Sequence, residues 1–129
     1  MIMEEASRQL SRRDLSEKEM REKLRPYGEE TDEAIEKLKM AGYLNDEKLC
    51  EEEFVRQYGK KPLGEIIEKL RRRGISEELI EAQIPEDWQE REKRLARELI
   101  RAKKKKGAAA WRYLMMRGFD AETIESLAE

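Results

Sequence analysis

The chain has no histidine and one cysteine in 129 residues. Without histidine, the commonest neutral-pH general base and the commonest metal ligand are both missing. Catalysis would have to rest on carboxylates, lysines or Cys50. That cysteine stands in Leu49-Cys50-Glu51-Glu52-Glu53, where nearby negative charge raises a thiol pKa rather than activating it, and it reads as a small core residue. Glycine-rich phosphate loops, Cys-x-x-Cys pairs and calcium-loop spacings are absent too, so no catalytic, cofactor-binding or metal-binding residue is assigned. No apolar run approaches the roughly 18 residues a membrane span needs. The opening Met-Ile-Met-Glu-Glu lacks the cationic start and apolar stretch of a secretory signal, and a lone cysteine suits a reducing cytoplasm. At 45% charged and 38% hydrophobic, the chain is sized for one domain with a modest core.

What the chain has is repetition. A leucine, three residues and a glycine recur at Leu24 to Gly28, Leu70 to Gly74 and Leu114 to Gly118, with the glycines 46 and 44 residues apart, and Ile35, Ile80 and Ile124 follow them. Self-similarity on this period marks stacked helical units, each too small to bury its own apolar face. Such a stack offers an extended binding surface rather than a catalytic pocket.

Helix punctuation defines each unit. Ser16-Glu17-Lys18-Glu19 has capping-box spacing, so a helix starts at Glu17, carries Met20 and Leu24 on one face, and stops at Pro26 and Gly28. Thr31 is placed to cap the next helix, whose Ala34, Ile35 and Leu38 keep a 3.6 period up to Gly42. In the second unit Pro62 opens a helix with Leu63, Ile66, Ile67 and Leu70, Gly74 closes it, and Ser76 caps Glu77 to Gln83. In the third, Ala110, Trp111, Leu114 and Met115 form the apolar stripe, Gly118 ends it, and Asp120 caps a last helix with Ile124 and Leu127. A longer helix precedes each pair, marked by Ala6 and Leu10, by Leu49, Cys50, Phe54 and Val55, and by Leu95, Ala96, Leu99 and Ile100. Tyr43, Phe54, Ile75 and Phe119 are expected to plug the junctions between helices. Strand-like alternation is absent and β-branched residues are scarce. The expected fold is all-α, three tandem three-helix repeats (1–44, 45–85, 86–129) in one elongated stack curved to either hand, with seams at Gly42 to Asn45 and Pro85 to Asp87.

These residues resemble a known family. Gly42-Tyr43-Leu44-Asn45-Asp46, then Phe54-Val55, then Gly64 and Ile67-x2-Leu70-x3-Gly74-Ile75, then Tyr113-Leu114-x2-Arg117-Gly118-Phe119, are similar to RecX, as is Ala6-x3-Leu10-x2-Arg13-x2-Ser16-x3-Met20-x3-Leu24 at the start. The resemblance covers essentially the whole chain. It implies a cytoplasmic, monomeric bacterial protein of DNA repair, recombination and the SOS response, without catalytic activity or cofactor. Such a protein binds the RecA–DNA filament along its groove and lowers ATP hydrolysis, strand exchange and coprotease function. The chain departs from the family in opening almost directly on the first repeat, and in Cys50, where alanine is usual.

Charge supplies a separate indication. Net charge is only −2, yet Arg91 to Arg117 holds eleven basic residues against Glu92 and Glu98, a local balance of +9. Arg71, Arg72 and Arg73 end the middle helix of the second unit, and Glu51, Glu52 and Glu53 begin an opposing patch. Arg97 and Arg101 lie one turn apart with Lys104 or Lys105 beyond them, a basic ridge. The expected partner surface is Arg71, Arg72, Arg73, Arg94, Arg97, Arg101, Lys103, Lys104, Lys105, Lys106, Arg112 and Arg117, facing a recombinase filament with single- or double-stranded DNA as a second contact. Capping of helix C-termini competes as a role for Arg71 to Arg73. Trp111, being on the apolar stripe, is expected in the core rather than stacked on a base. A helical-repeat protein that binds nucleic acid with no recombinase partner is the alternative; a scaffold for another helical protein is a third reading.

Overall fold

The computed structural model describes residues 1–127, so the expected end of the third unit at Glu129 lies outside the described residues. Among them the chain forms nine α-helices: α1 Ile2–Leu10, α2 Glu17–Lys23, α3 Glu30–Met40, α4 Asp46–Gln57, α5 Leu63–Arg72, α6 Glu77–Gln83, α7 Trp88–Ala102, α8 Gly107–Met116 and α9 Ala121–Ser126. A 3-10 turn, Arg25–Tyr27, links α2 to α3, and one isolated bridge joins Tyr58 to Lys61.

Side-chain caps set four of the helix starts. The Ser16 hydroxyl accepts from the Glu19 amide while the Glu19 carboxylate accepts from the Ser16 amide. Asn45, Ser76 and Asp120 accept from the amides of Lys48, Leu79 and Thr123 at 3.0, 3.3 and 2.7 Å. Each bond satisfies a first-turn donor that helical geometry leaves free. Thr31 behaves differently from expectation. The 3-10 turn carries the chain into α3 at Glu30, so Thr31 lies inside the first turn, buried, and its hydroxyl donates to the Leu24 carbonyl at 3.0 Å.

The apolar residues gather in three clusters. α1 to α3 enclose Ala6, Met20, Leu24, Ile35 and Leu38; α4 to α6 enclose Cys50, Phe54, Ile66, Leu70 and Ile80; α7 to α9 enclose Leu95, Ala96, Leu114 and Ile124. Burying each large aliphatic side chain contributes on the order of 1.5–3 kcal/mol. Ile75 and Phe119 plug the ends of α5 and α8, their amides turned back to the carbonyls of Leu70 and Leu114. Tyr43 does not: it follows α3, Leu44 takes the buried position, and the phenol stands outward at 66% exposure. Val55 is outward as well.

The triplets are joined by two matching sets of contacts. The first amide of α2, on Glu17, donates to the Asp46 carboxylate of α4 at 3.0 Å, and the first amide of α5, on Leu63, donates to the Glu92 carboxylate of α7 at 2.9 Å. Burial raises both carboxyls above their ordinary values, and the amide bond offsets this only in part. Arg73, at the end of α5, reaches Glu19 of α2 at 2.9 Å, and Arg117, at the end of α8, reaches Glu65 of α5 at 3.2 Å. The acceptors of both contacts shift by 46 residues from one junction to the next, and the arginines by 44, the spacing of the glycines that follow them. Those glycines, Gly74 and Gly118, have φ of +87° and +96°, a conformation that costs other residues about 1–3 kcal/mol. At the second junction Gly64 lets two backbones meet, since a Cβ there would stand 2.5 Å from the Gly118 carbonyl oxygen; at the first, Lys18 takes that position and its stem lies against Gly74.

Candidate interaction surface

The expected basic residues separate into an engaged set and a free set. Arg73 is drawn inward. Its guanidinium forks onto both Glu19 oxygens at 2.9–3.2 Å and donates to the Asp14 carbonyl at 3.0 Å, with both side chains only 16% exposed. Burial pushes the Glu19 carboxyl up, but hydrogen bonds from Arg73 and the Ser16 amide outweigh it and hold the group below its ordinary range. Arg73 is thus a strut between triplets and is corrected out of the free surface. Arg71 pairs with Glu77 at 2.5 Å in the open, and Arg117 donates to Glu65 and to the Tyr113 hydroxyl at 2.9 Å.

Arg72, Arg94, Arg97, Arg101, Lys103, Lys104, Lys106 and Arg112 are exposed, and no ion pair holds them among the described residues. α7 presents Arg94, Arg97 and Arg101 along one face, interrupted by Glu98. The four lysines form the α7–α8 turn rather than a helical ridge: Lys103 ends α7, Lys104 adopts a left-handed φ of 55°, and Lys106 stands at the head of α8. Lys105 leaves the free set, its ammonium 5.7 Å above the Tyr113 ring, a cation–π contact. The opposing acidic patch is smaller than its sequence suggests. Glu51 and Glu52 are exposed, but Glu53 is 1% exposed and paired with Arg56 and with Lys69 at 2.8 Å.

The largest departure lies on α8. Ala110 and Leu114 face the core, whereas Trp111, Met115 and Met116 are 45%, 40% and 87% exposed. The helix is apolar nearly all round, so its 3.6 period fits more than one phase, and the cluster of α7 to α9 is built from Leu95, Ala96, Leu114, Phe119 and Ile124 without the indole. The expectation of a core tryptophan is overturned. Composition held a signal of this: three alanines before Trp111 cannot build a wide core face.

An open groove of 440 Å³ runs beside α5 and the end of α8, with Gly64, Glu65, Glu68, Arg72, Met116 and Arg117 among its walls. Two of its carboxylates are tied to neighbouring cations, Glu65 to Arg117 and Glu53 to Lys69. Cys50 is fully buried and its thiol is pushed up to about 11 by burial and by the Asp46 charge. No helix among the described residues is long and apolar enough to cross a membrane.

The described residues form a helical body with an outward basic surface and two exposed aromatics, Tyr43 and Trp111, an arrangement suited to a binding protein. The comparisons agree with this class. No protein-family model matches the chain, but the regulatory protein RecX of Haemophilus ducreyi is 31% identical to it, over 93% of this chain and 85% of that one. The crystal structure of RecX from Lactobacillus salivarius shares the fold with a TM-score of 0.74 at 22% identity, covering 95% of this chain and 89% of that one. A second crystal structure of regulatory protein RecX gives 0.76 at 21%, covering 98% and 72%. The chain belongs to the RecX family of regulatory proteins.

Proposed function

We propose that this protein is a negative regulator of the RecA recombinase, lying as a cytoplasmic monomer in the groove of the RecA–DNA filament and lowering its ATP hydrolysis, strand exchange and coprotease activity. The observation that carries the reading, beyond family membership, is the stretch from Leu99 to Phe119, which has seven basic residues and no acidic one and holds most of the unpaired cations described above. Such a surface is drawn to a polyanionic assembly. The recurring junctions support reading the chain as three tandem repeats, 1–44, 45–85 and 86–129, whose stacking lets one molecule touch several filament subunits. Regulation then needs no bond chemistry: binding that prefers one filament state shifts subunits toward it, by no more than the difference in affinity between states.

The test is single-stranded-DNA-dependent ATP hydrolysis by the cognate recombinase, with co-sedimentation of filaments. The wild-type protein is expected to suppress hydrolysis and pellet with filaments, and Arg97→Glu/Arg101→Glu to do both less well. Unchanged hydrolysis together with no co-sedimentation rejects the proposal. The alternative, a helical-repeat protein that binds nucleic acid with no recombinase partner, is favoured by the exposed Trp111; tight binding to bare DNA with no preference for filaments would select it.

A further inference from the structure

We propose that the outward face of α8 is a site for single-stranded nucleic acid, in which Trp111 stacks on an unpaired base while Arg112 and the α7–α8 lysines neutralise the neighbouring phosphates. The core does not account for this tryptophan. Its indole is 45% exposed, and Met115 one turn on is 40% exposed, although Ala110 and Leu114 of the same helix are buried. Together with Met115 and Met116 the indole makes an apolar patch on the outward side of the helix, which a binding surface accounts for.

The surroundings select the occupant. Trp111, Arg112 and Met115 share a face with Ala108, at spacings of three and four residues. Side chains on a helix lean toward its N-terminus and cover the preceding turn. The indole therefore leans toward Gly107 and Ala108, the end of α8 that Lys106 precedes, where the residues at 108 and 109 are small. The stretch from Leu99 to Phe119 has no acidic residue of its own. Lys103, Lys104, Lys106 and Arg112 are exposed and make no ion pair among the described residues. A negatively charged polymer that also offers flat π-faces matches both features. In a duplex those faces are stacked on one another, so a single strand fits and a duplex does not. Met115 provides a soft apolar edge for the same base.

The proposal rests on the basic surface invoked for filament binding but needs no recombinase, so the two fail separately. Binding of a labelled oligo-deoxythymidine is compared with that of a strand of equal length whose residues are abasic. The wild-type protein is expected to favour the thymidine strand by about 5- to 150-fold, the range of one stacked base. Trp111→Ala is expected to bind both strands equally and weakly, and Trp111→Phe to recover part of the preference. Lys104→Glu/Lys106→Glu should weaken both strands alike and flatten the salt dependence. In a Trp88→Phe background, thymidine should quench the remaining tryptophan emission. Equal wild-type affinity for thymidine and abasic strands, or a preference that survives Trp111→Ala, overturns the proposal. So does a Trp111→Ala protein that binds thymidine normally yet fails to suppress the recombinase, which would make the indole a protein contact.

Discussion

Replacing Arg73 by alanine should destabilise the protein far more than replacing Arg71, two residues away. Arg71 and Glu77 are 53% and 54% exposed, and ion pairs of that kind contribute little because water competes for both groups. Arg73 and Glu19 are each 16% exposed. Removing one member of a fully buried pair costs about 3–5 kcal/mol, so a pair this sheltered, with an extra donor bond to the Asp14 carbonyl, is expected to cost about 2–3 kcal/mol when Arg73 is truncated. Arg117, whose bridge to Glu65 is 32% and 36% exposed, should fall between, at about 1 kcal/mol. Urea unfolding of Arg73→Ala, Arg117→Ala and Arg71→Ala, followed by helical circular dichroism, reads the order directly. Glu19→Gln is the partner variant for a double-mutant cycle, since it keeps an acceptor for the Ser16 amide. The folded Glu19 carboxyl lies below its ordinary value, so its contribution is complete above the unfolded pKa and disappears as pH falls through the folded one. The gap between wild type and Arg73→Ala must therefore narrow in acid. Equal costs for Arg71→Ala and Arg73→Ala, or a gap independent of pH, would refute the strut.

Three further outcomes follow from the same geometry. Glu92→Gln keeps an acceptor for the Leu63 amide without a buried charge. Because the folded Glu92 pKa is raised, its contribution is greatest below the unfolded value and lost as pH rises through the folded one. Glu92→Gln should then match or exceed wild-type stability at pH 7, with wild type gaining on it toward pH 4, while Glu92→Ala, which orphans the amide, loses about 1–3 kcal/mol in thermal or urea unfolding. Gly64→Ala drives a methyl to 2.5 Å from the Gly118 carbonyl oxygen and should cost about 1–3 kcal/mol by the same measurement; an unchanged midpoint would mean the two backbones are not in contact. Cys50, buried and with its thiol raised to about 11, should resist a thiol reagent at pH 8 until denaturant is added; rapid labelling of the native protein would contradict its burial.

The features readable from sequence are those decided within a few residues. Ser16, Asn45, Ser76 and Asp120 cap helices through amides three positions away, so their roles follow from spacing. The cores of α2, α5 and α6 follow because polar residues surround a narrow stripe and leave only one phase. α8 lacks that constraint: with Ala, Trp, Tyr, Leu and Met on most sides, several faces could have turned inward. Thr31 was misplaced because a 3-10 turn shifted the start of α3. Which of three consecutive arginines bends back was decided by Glu19, 54 residues away, and Glu53 was buried by Lys69 on another helix. The charge count was right in sum and wrong in distribution, since pairing across helices leaves no local trace.

The two junctions differ in compliance. The first is locked by a sheltered guanidinium fork and by a hydrogen bond from the Ser16 hydroxyl to the Arg73 carbonyl. The second has a more open ion pair and replaces the lysine stem by glycine against glycine. A load applied along the molecule would therefore bend it at the seam before the third triplet, and the part free to swing is the part that carries the indole and the lysines.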